Sequence, residues 1–347
     1  MKCGVVTVYN SENCGSFLQT YALLQAIDKT GNEVGAVYQN FCDHPSAYKK
    51  YLPTIMKALL KGNWKGARLL HKRRRIFKQA IAESFHIETN ANETDCYVLG
   101  SDVIWDISVP FFRNHADFFW GTQFEDAKII SYAPSVGFAK GEDAEKCPLI
   151  RQALNRMSAV SVRDLPSKNL LQPYCDKEIQ IVCDPTYLLE REAYAAIAKP
   201  TDLKDFLFIY YYGKMPVDYQ REICVFAKQM GLKTVTFGGG NSWCDISLAY
   251  DPLLFLSIYD KAEYIITNTF HGTVFATIYE KRFAVIKNDK PKVLNALQMC
   301  GMSDKMTDGP EDIGAILKSN FHYDVTRQKI LIEREKGLRY LKTAIEG

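Results

Sequence analysis

Glu263-Tyr-Ile-Ile-Thr-Asn268-Thr-Phe-His271-Gly272-Thr-Val-Phe-Ala-Thr-Ile-Tyr-Glu280 is the stretch on which the fold turns. Tyr264 to Thr267 is a short β-rich run, the pattern of a buried strand. Phe275 to Tyr279 reads as the body of a helix. Between them, Asn268 and Thr269 are N-cap residues, and Gly272 lets a ligand approach the backbone. A strand turning into a helix presents unpaired N–H groups at the positive end of a dipole, which favours anions. His271 sits at that turn, where an imidazole can donate to a phosphate or pass a proton near neutral pH. The alternative is a histidine that only satisfies backbone groups.

Working outward, the same strand–turn–helix alternation recurs on both sides. Cys3 to Val8 reads as a strand, Tyr9 to Gly15 as a polar loop, and Ser16 as the start of an amphipathic helix ending near Gly31. The loop Asn13-Cys14-Gly15-Ser16 is suited to a phosphate or a sugar, or is a tight structural turn. It matches neither a dinucleotide fingerprint nor a Walker loop. Cys96 to Leu99 is a strand running into Gly100-Ser101-Asp102. Asp102 is placed to orient a sugar hydroxyl or take its proton, or to cap the following turn. Val160 to Val162 runs into Arg163, a residue suited to bidentate binding of carboxylate or phosphate, or to an ion pair with a neighbouring acid. Ile179 to Val182 precedes the turn Asp184-Pro185-Thr186. After a Lys-Pro break at residues 199–200, Phe206 to Tyr212 restarts the pattern. Lys233 to Phe237 is followed by Gly238-Gly239-Gly240-Asn241, where backbone can lie close to a ligand.

This alternation predicts an α/β protein of two Rossmann-like parallel-sheet domains facing a cleft. Residues 1–195 form the first, read as the acceptor side. Residues 196–325 form the second, read as the donor side. Residues 326–347 are a helix crossing back to the first. Gly15, Ser16, Asp102 and Arg163 would converge on the cleft from one side, and His271 and Gly272 from the other.

The 347-residue chain has a net charge of +3, unevenly spread. Lys49 to Lys78 holds eleven Lys or Arg and no Asp or Glu, so the remainder carries −8 (+3 less the eleven). The helical spacing within 49–78 predicts a basic amphipathic segment, with Trp64 at an interface. It docks on an anionic membrane surface, steers an anionic substrate, or is a solvated face over a core stripe. No nucleic-acid motif accompanies it, so no nucleic-acid partner is expected. There is no run of eighteen apolar residues and no signal-peptide pattern. Ten scattered cysteines, Cys42 among them, lack Cys-x-x-Cys spacing. They read as free thiols in a reducing compartment, without a metal site. The expected location is cytoplasmic, with peripheral contact at the inner membrane face if 49–78 docks.

Six motifs in order carry a resemblance to a known family. They are Asn13-Cys-Gly-Ser-Phe-Leu-Gln-Thr-Tyr-Ala-Leu, Gly100-Ser-Asp-Val-Ile-Trp-Asp, Ser131-Tyr-Ala-Pro-Ser-Val-Gly, Ser161-Val-Arg-Asp, Asp184-Pro-Thr and Thr269-Phe-His-Gly-Thr. Over about residues 3 to 286 the chain resembles the polysaccharide pyruvyl transferases. Pro134 departs from the pattern, where a small residue is more usual. The resemblance implies a GT-B-like fold and transfer of a pyruvyl group from phosphoenolpyruvate to a sugar, forming a cyclic ketal and releasing phosphate. Phosphoenolpyruvate would be a co-substrate, with no cofactor and no metal. The acceptor would be a saccharide, lipid-linked if the basic segment meets a membrane. The resemblance places Arg163, Phe270, His271 and Gly272 at the donor. His271 is then the candidate general acid and Asp102 the weaker candidate base. Asn13, Gly15, Ser16 and Ser101 match without an assigned role, as acceptor-side candidates. Two alternatives stand beside this. One is a GT-B glycosyltransferase using a nucleotide sugar, with Glu280 holding a ribose. The other is a carbohydrate-binding or assembly protein without catalysis, whose glycan binding would survive replacement of Arg163 and His271.

Overall fold

β1 (Lys2–Val6), β2 (Glu33–Val37), β3 (Ile87–Glu88), β4 (Cys96–Leu99) and β5 (Lys128–Ser131) form one sheet in the order β3-β2-β1-β4-β5, every pair parallel. The structure, a computed structural model, describes residues 1–39, 41, 48–60, 62, 64–89, 93–287 and 291–347. Cys42 lies outside the described residues; the described cysteines are free thiols. β6 (Ser161–Val162) and β7 (Gln180–Ile181) make a small parallel pair beyond β5, joined to it by a bridge from Ile130 to Ala159. The second sheet comprises β8 (Phe206–Tyr210), β9 (Lys233–Phe237), β10 (Ile246–Leu248), β11 (Tyr264–Thr267), β12 (Arg282–Ile286) and β13 (Met306–Thr307). Its order is β10-β9-β8-β11-β12-β13, again all parallel.

Both orders are those of doubly wound sheets, with a reversal of direction beside the first strand of each. The central strands are apolar runs buried along almost their whole length, because helices cover both faces. β2 carries only a weak strand signal in the sequence. Its Glu-Val-Gly-Ala-Val is poor in strand formers, and Gly35 is required by the approach of His86, whose ring would lie 2.7 Å from a Cβ there.

The helix Cys14–Asp28 begins two residues before its expected start, and it is not amphipathic. All of its residues from Cys14 to Leu24 are buried. It packs on its own sheet and also touches the helix Pro252–Lys261 of the second unit and the last helix, Tyr323–Glu346. That last helix starts against the helix Pro291–Cys300 of the second unit, where Thr326 donates to the Cys300 carbonyl at 2.9 Å. It ends on the first sheet, where Tyr340 donates to the Ser131 carbonyl at 2.9 Å and Lys128 to that of Ile345. Mid-helix Gly337 permits this crossing: a Cβ there would meet the Tyr132 hydroxyl at 2.5 Å.

The basic segment forms two helices, Tyr48–Leu60 and Trp64–Ser84. The second is anchored by buried Ala67, Phe77 and Ala80, with Phe77 edge-on to Phe17. Arg73 points inward, donating to the Glu12 carbonyl and lying 4.7 Å over the Tyr250 ring. Among the described residues no helix is long and apolar enough to cross a membrane.

Candidate functional site

The reversal points of the two sheets face each other. In the first, the chain leaves β1 toward Asn13 and leaves β4 toward Asp102. In the second, it leaves β8 toward Tyr212 and β11 toward His271. Asn268 ties the second pair together: its side chain accepts from the Tyr212 N–H and donates to the Tyr212 carbonyl, both at 2.9 Å.

Thr269 is the N-cap of the helix Phe270–Ile278, accepting from the Gly272 N–H at 2.9 Å. The amides of Phe270 and His271, in the same first turn, have no intrahelical acceptor. Gly272 itself does not face a ligand. Its amide is taken by the cap, and a Cβ would meet the Thr267 and Thr269 hydroxyls at 2.1 and 2.4 Å. The glycine is there so that the helix can start tight against the strand end.

Phe270 and His271 meet Arg163 across the cleft. The Arg163 guanidinium lies 4.4 Å over the Phe270 ring and donates through Nη1 to Asp184 at 3.0 Å. Asp184 is fixed in turn by the Thr186 N–H and hydroxyl, which bond its other oxygen. The oxygen that accepts from Arg163 also lies 3.9 Å from His271 Nε2. Asp184 thus holds Arg163 in place and lies beside His271, a role not visible in the turn that the sequence shows. Arg163 Nε and Nη2 and His271 Nε2 are buried and without a hydrogen-bond partner. Buried polar groups are normally paired, so three such atoms on two neighbouring residues mark a place for a ligand.

Two cavities meet here. One, of about 410 Å³, is lined by Arg163, Asp184, Phe270 and Lys292 among others. The other, of about 270 Å³, is lined by Asn13, Tyr210, Tyr212, Thr269, Phe270, His271 and Lys292. Phe270 and Lys292 are common to both. Lys292, in the helix Pro291–Cys300, carries no sequence signal and was not among the expected site residues.

The first domain's residues sit behind and beside this centre. Asn13 lines the smaller cavity and caps the helix Cys14–Asp28, accepting from the Gly15 and Ser16 amides. Gly15 is not shaped for a phosphate: a Cβ there would lie 2.1 Å from His271 Nδ1. Ser16 donates to Asp102 at 2.8 Å. Ser101 does not line the cleft; it is fully buried and donates to Gln19.

Electrostatics sets what each group can do. Burial acts to raise the Asp102 carboxyl, but His271, Lys292, Arg163 and the Ser16 hydroxyl outweigh it and hold it down at about 2. A carboxylate so stabilised is a weak base at neutral pH and serves instead as a standing negative charge. Burial pushes His271 below its ordinary value; Asp184 and Asp102 oppose this, while Arg163 and Lys292 reinforce it. For Arg163, burial opposes the charge, yet Asp184, Asp102 and Asp164 win and keep it charged. The arrangement is a fixed cation, a helix N-terminus and an imidazole along two cavities that meet at Phe270 and Lys292, which suits an anion that must also receive a proton.

Glu280 is elsewhere. It lies beyond the far end of the helix Phe270–Ile278, paired with Arg327 and lining a separate cavity with Arg191 and Arg334.

The fold is shared with nucleotide-sugar enzymes. A Listeria monocytogenes structure assigned as a UDP-N-acetylglucosamine 2-epimerase superposes with a TM-score of 0.57 at 10% identity, over 99% of this chain and 96% of that one. Arabidopsis thaliana UGT89C1 complexed with UDP-L-rhamnose gives 0.52 at 11% identity, over 98% of each chain. At such identities the likeness shows the GT-B fold alone. Among curated proteins no relative matches. The polysaccharide pyruvyl transferase profile matches residues 13–290, spanning Asn13, Asp102, Arg163, Asp184 and His271, and the chain belongs to that family.

Proposed function

We propose that the protein transfers a pyruvyl group from phosphoenolpyruvate to a saccharide, forming a cyclic ketal and releasing phosphate. The observation that carries this is the set of unpartnered nitrogens on Arg163 and His271, beside Lys292 and a helix N-terminus. A small donor bearing a carboxylate and a phosphate satisfies all of them. In the reaction, His271 gives a proton to the donor's methylene carbon, which becomes a methyl group. One acceptor hydroxyl bonds to the adjacent carbon and returns its proton to His271. The carbon–oxygen bond to phosphate breaks, and a second hydroxyl closes the ring, its proton leaving with phosphate. Asp102 stabilises the imidazolium and the positive charge that develops on the donor carbon. The nucleotide-sugar alternative loses its ribose-binding carboxylate, because Glu280 faces another cavity.

The test is a thermal shift against phosphoenolpyruvate and a panel of nucleotide sugars. A ligand at about 100 times its Kd stabilises by roughly 2.7 kcal/mol, a shift of several degrees. The shift is expected with phosphoenolpyruvate alone. Arg163→Lys keeps a charge beside Asp184 but loses the planar fork, so donor affinity falls about 10- to 100-fold. Stabilisation by a nucleotide sugar alone moves the assignment to glycosyl transfer; unchanged donor affinity in the lysine variant removes Arg163 from the donor site.

We further propose that the basic segment docks on anionic lipid, bringing the site to a lipid-linked acceptor. Met56, Leu60 and Trp64 are 55%, 86% and 71% exposed, beside exposed Lys57, Arg68 and Lys72. Apolar anchors flanked by cations match an anionic bilayer. Arg73 is a poor probe, being committed to Glu12 and Tyr250. Vesicles containing phosphatidylserine should float the protein at low salt, and Leu60→Ser with Trp64→Ser should abolish it. Equal flotation of that variant would leave the docking surface elsewhere.

A further inference from the structure

The loop Gly238-Gly239-Gly240-Asn241 and the helix Trp64–Ser84 are used by nothing in the reaction described above, yet they enclose a third cavity, of about 130 Å³. The loop forms one wall, at the carboxyl end of β9. Arg73 and its neighbours on the helix form the opposite wall, and Tyr212 and Tyr250 are also part of the lining.

Asn241 brings to this cavity a buried polar atom that lacks a partner. The residue is 2% exposed, and its Oδ1 has no hydrogen-bond partner. Its orientation is set from behind. The Thr236 hydroxyl donates to the Ile209 carbonyl at 2.9 Å and so can only accept from Asn241, which faces it with Nδ2. The amide oxygen is left needing a donor. The Arg73 guanidinium is already held by Glu12, its carboxylate 3.6 Å away, so this cation is neutralised where it borders the cavity. Gly240 borders open space: a Cβ there would meet nothing within 4 Å.

Size, aromatic walls, a buried acceptor and a neutralised cation together describe a site for one neutral polyhydroxyl ring. Sites for larger ligands such as nucleotides are on the order of 300 Å³ or more. Tyr212 lines this cavity and also the one containing His271. The two spaces therefore adjoin along the cleft, on the side of His271 away from Arg163.

We propose that this cavity is an acceptor subsite, holding one neutral sugar ring of the saccharide, with a hydroxyl donating to Asn241 Oδ1, next to the ring that reacts at His271. This rests on the pyruvyl-transfer reading and adds the route by which the acceptor enters. It also gives the basic helix a role in closing the site, independent of any membrane.

Saturation-transfer NMR tests it. The probes are methyl glycosides of glucose, galactose, mannose, N-acetylglucosamine and N-acetylmannosamine, with UDP as a competing occupant. Each protein is also melted with and without phosphoenolpyruvate. At least one glycoside is expected to bind the wild type, about 10-fold more weakly to Asn241→Ala, and undetectably to Gly240→Phe, which adds a ring to the cavity lining. Both variants should keep the thermal shift with phosphoenolpyruvate, which shows that they fold and that the donor site is intact. Saturation undiminished in Gly240→Phe, displacement of the glycoside by UDP, or no glycoside binding at all would each overturn the subsite. Loss of the phosphoenolpyruvate shift from the wild type itself, with glycoside binding still blocked by Gly240→Phe, would overturn the donor reading and leave the sugar site standing.

Discussion

Replacing His271 by alanine should lower turnover at least about 100-fold, the contribution of a positioned proton donor. The pH dependence separates this role from a purely structural one. In the free protein the imidazole is pushed below its ordinary value, mainly by burial. At pH 7 it is then largely neutral, and the protonated fraction falls further as pH rises. If His271 delivers the proton, kcat/KM for the donor declines as pH rises through that depressed value, below about 6.5. A bound donor brings negative charge next to Arg163 and Lys292 and cancels the repulsion that they exert. The same group then titrates higher in the complex, so the limb in kcat lies at higher pH than the limb in kcat/KM. His271→Gln should retain the packing and lose both limbs. Activity that climbs with pH over this range would make His271 the base, and near-normal turnover in the alanine variant would remove it from the chemistry.

Asp102 bears on the same question. With its carboxyl held at about 2, it is ionised throughout the working range and contributes no limb of its own. It occupies a left-handed backbone conformation (φ 72°), which asparagine tolerates well. In Asp102→Asn the amide oxygen would still accept from the Val103 N–H and the NH2 would donate to the Ser16 hydroxyl, but the imidazolium would lose its second carboxylate. The expected effect of this substitution is therefore on the position of the His271 limbs, which move down in pH.

What the amino-acid sequence makes legible is local. Tyr264 to Glu280 announces strand, cap and helix in quick succession, because each signal is a neighbour of the next. Repetition of that unit implies parallel sheets, and the order of motifs implies where they turn. Arg163 and His271 are legible as donor-site candidates because each stands at a strand end, where such sheets gather ligands. Contacts made through space are not legible. Asp184 reads as a turn, and only the fold brings it against both Arg163 and His271. Lys292 follows no motif and reaches the cavities because its helix packs against the helix Phe270–Ile278. Glu280 is close to His271 in sequence but lies past the far end of the helix that His271 helps to begin, about 13 Å away at 1.5 Å per residue. The apolar pattern of Cys14–Asp28 implies one buried face, whereas a second unit and a crossing helix cover the rest.

Gly15 carries the second large effect, and it works between domains. It lies in the first turn of the helix Cys14–Asp28 with its amide bonded to Asn13 at 2.8 Å, so alanine fits its backbone. Taken alone, Gly15→Ala would help the helix, by up to about 1 kcal/mol. The added methyl, however, would lie 2.1 Å from His271 Nδ1 and 2.4 Å from Cγ, closer than any contact can be. Rotation of the imidazole would still leave the His271 Cβ 2.8 Å from the methyl, so the two sheets must also separate. Misplacement of a catalytic group by about 1 Å costs on the order of 100-fold, so turnover should fall by that much although no reacting group has been changed. Overpacking should also destabilise the fold by about 1–3 kcal/mol. A double-mutant cycle isolates the cause. In the His271→Gly background the ring and also its Cβ, itself 2.8 Å from the added methyl, are gone, and Gly15→Ala should change sign and stabilise, as its helix propensity requires. Simple additivity would place the glycine's role elsewhere in the turn. A change of sign would show that the two domains meet at the reacting imidazole itself, so that closure of the cleft and positioning of His271 are one event.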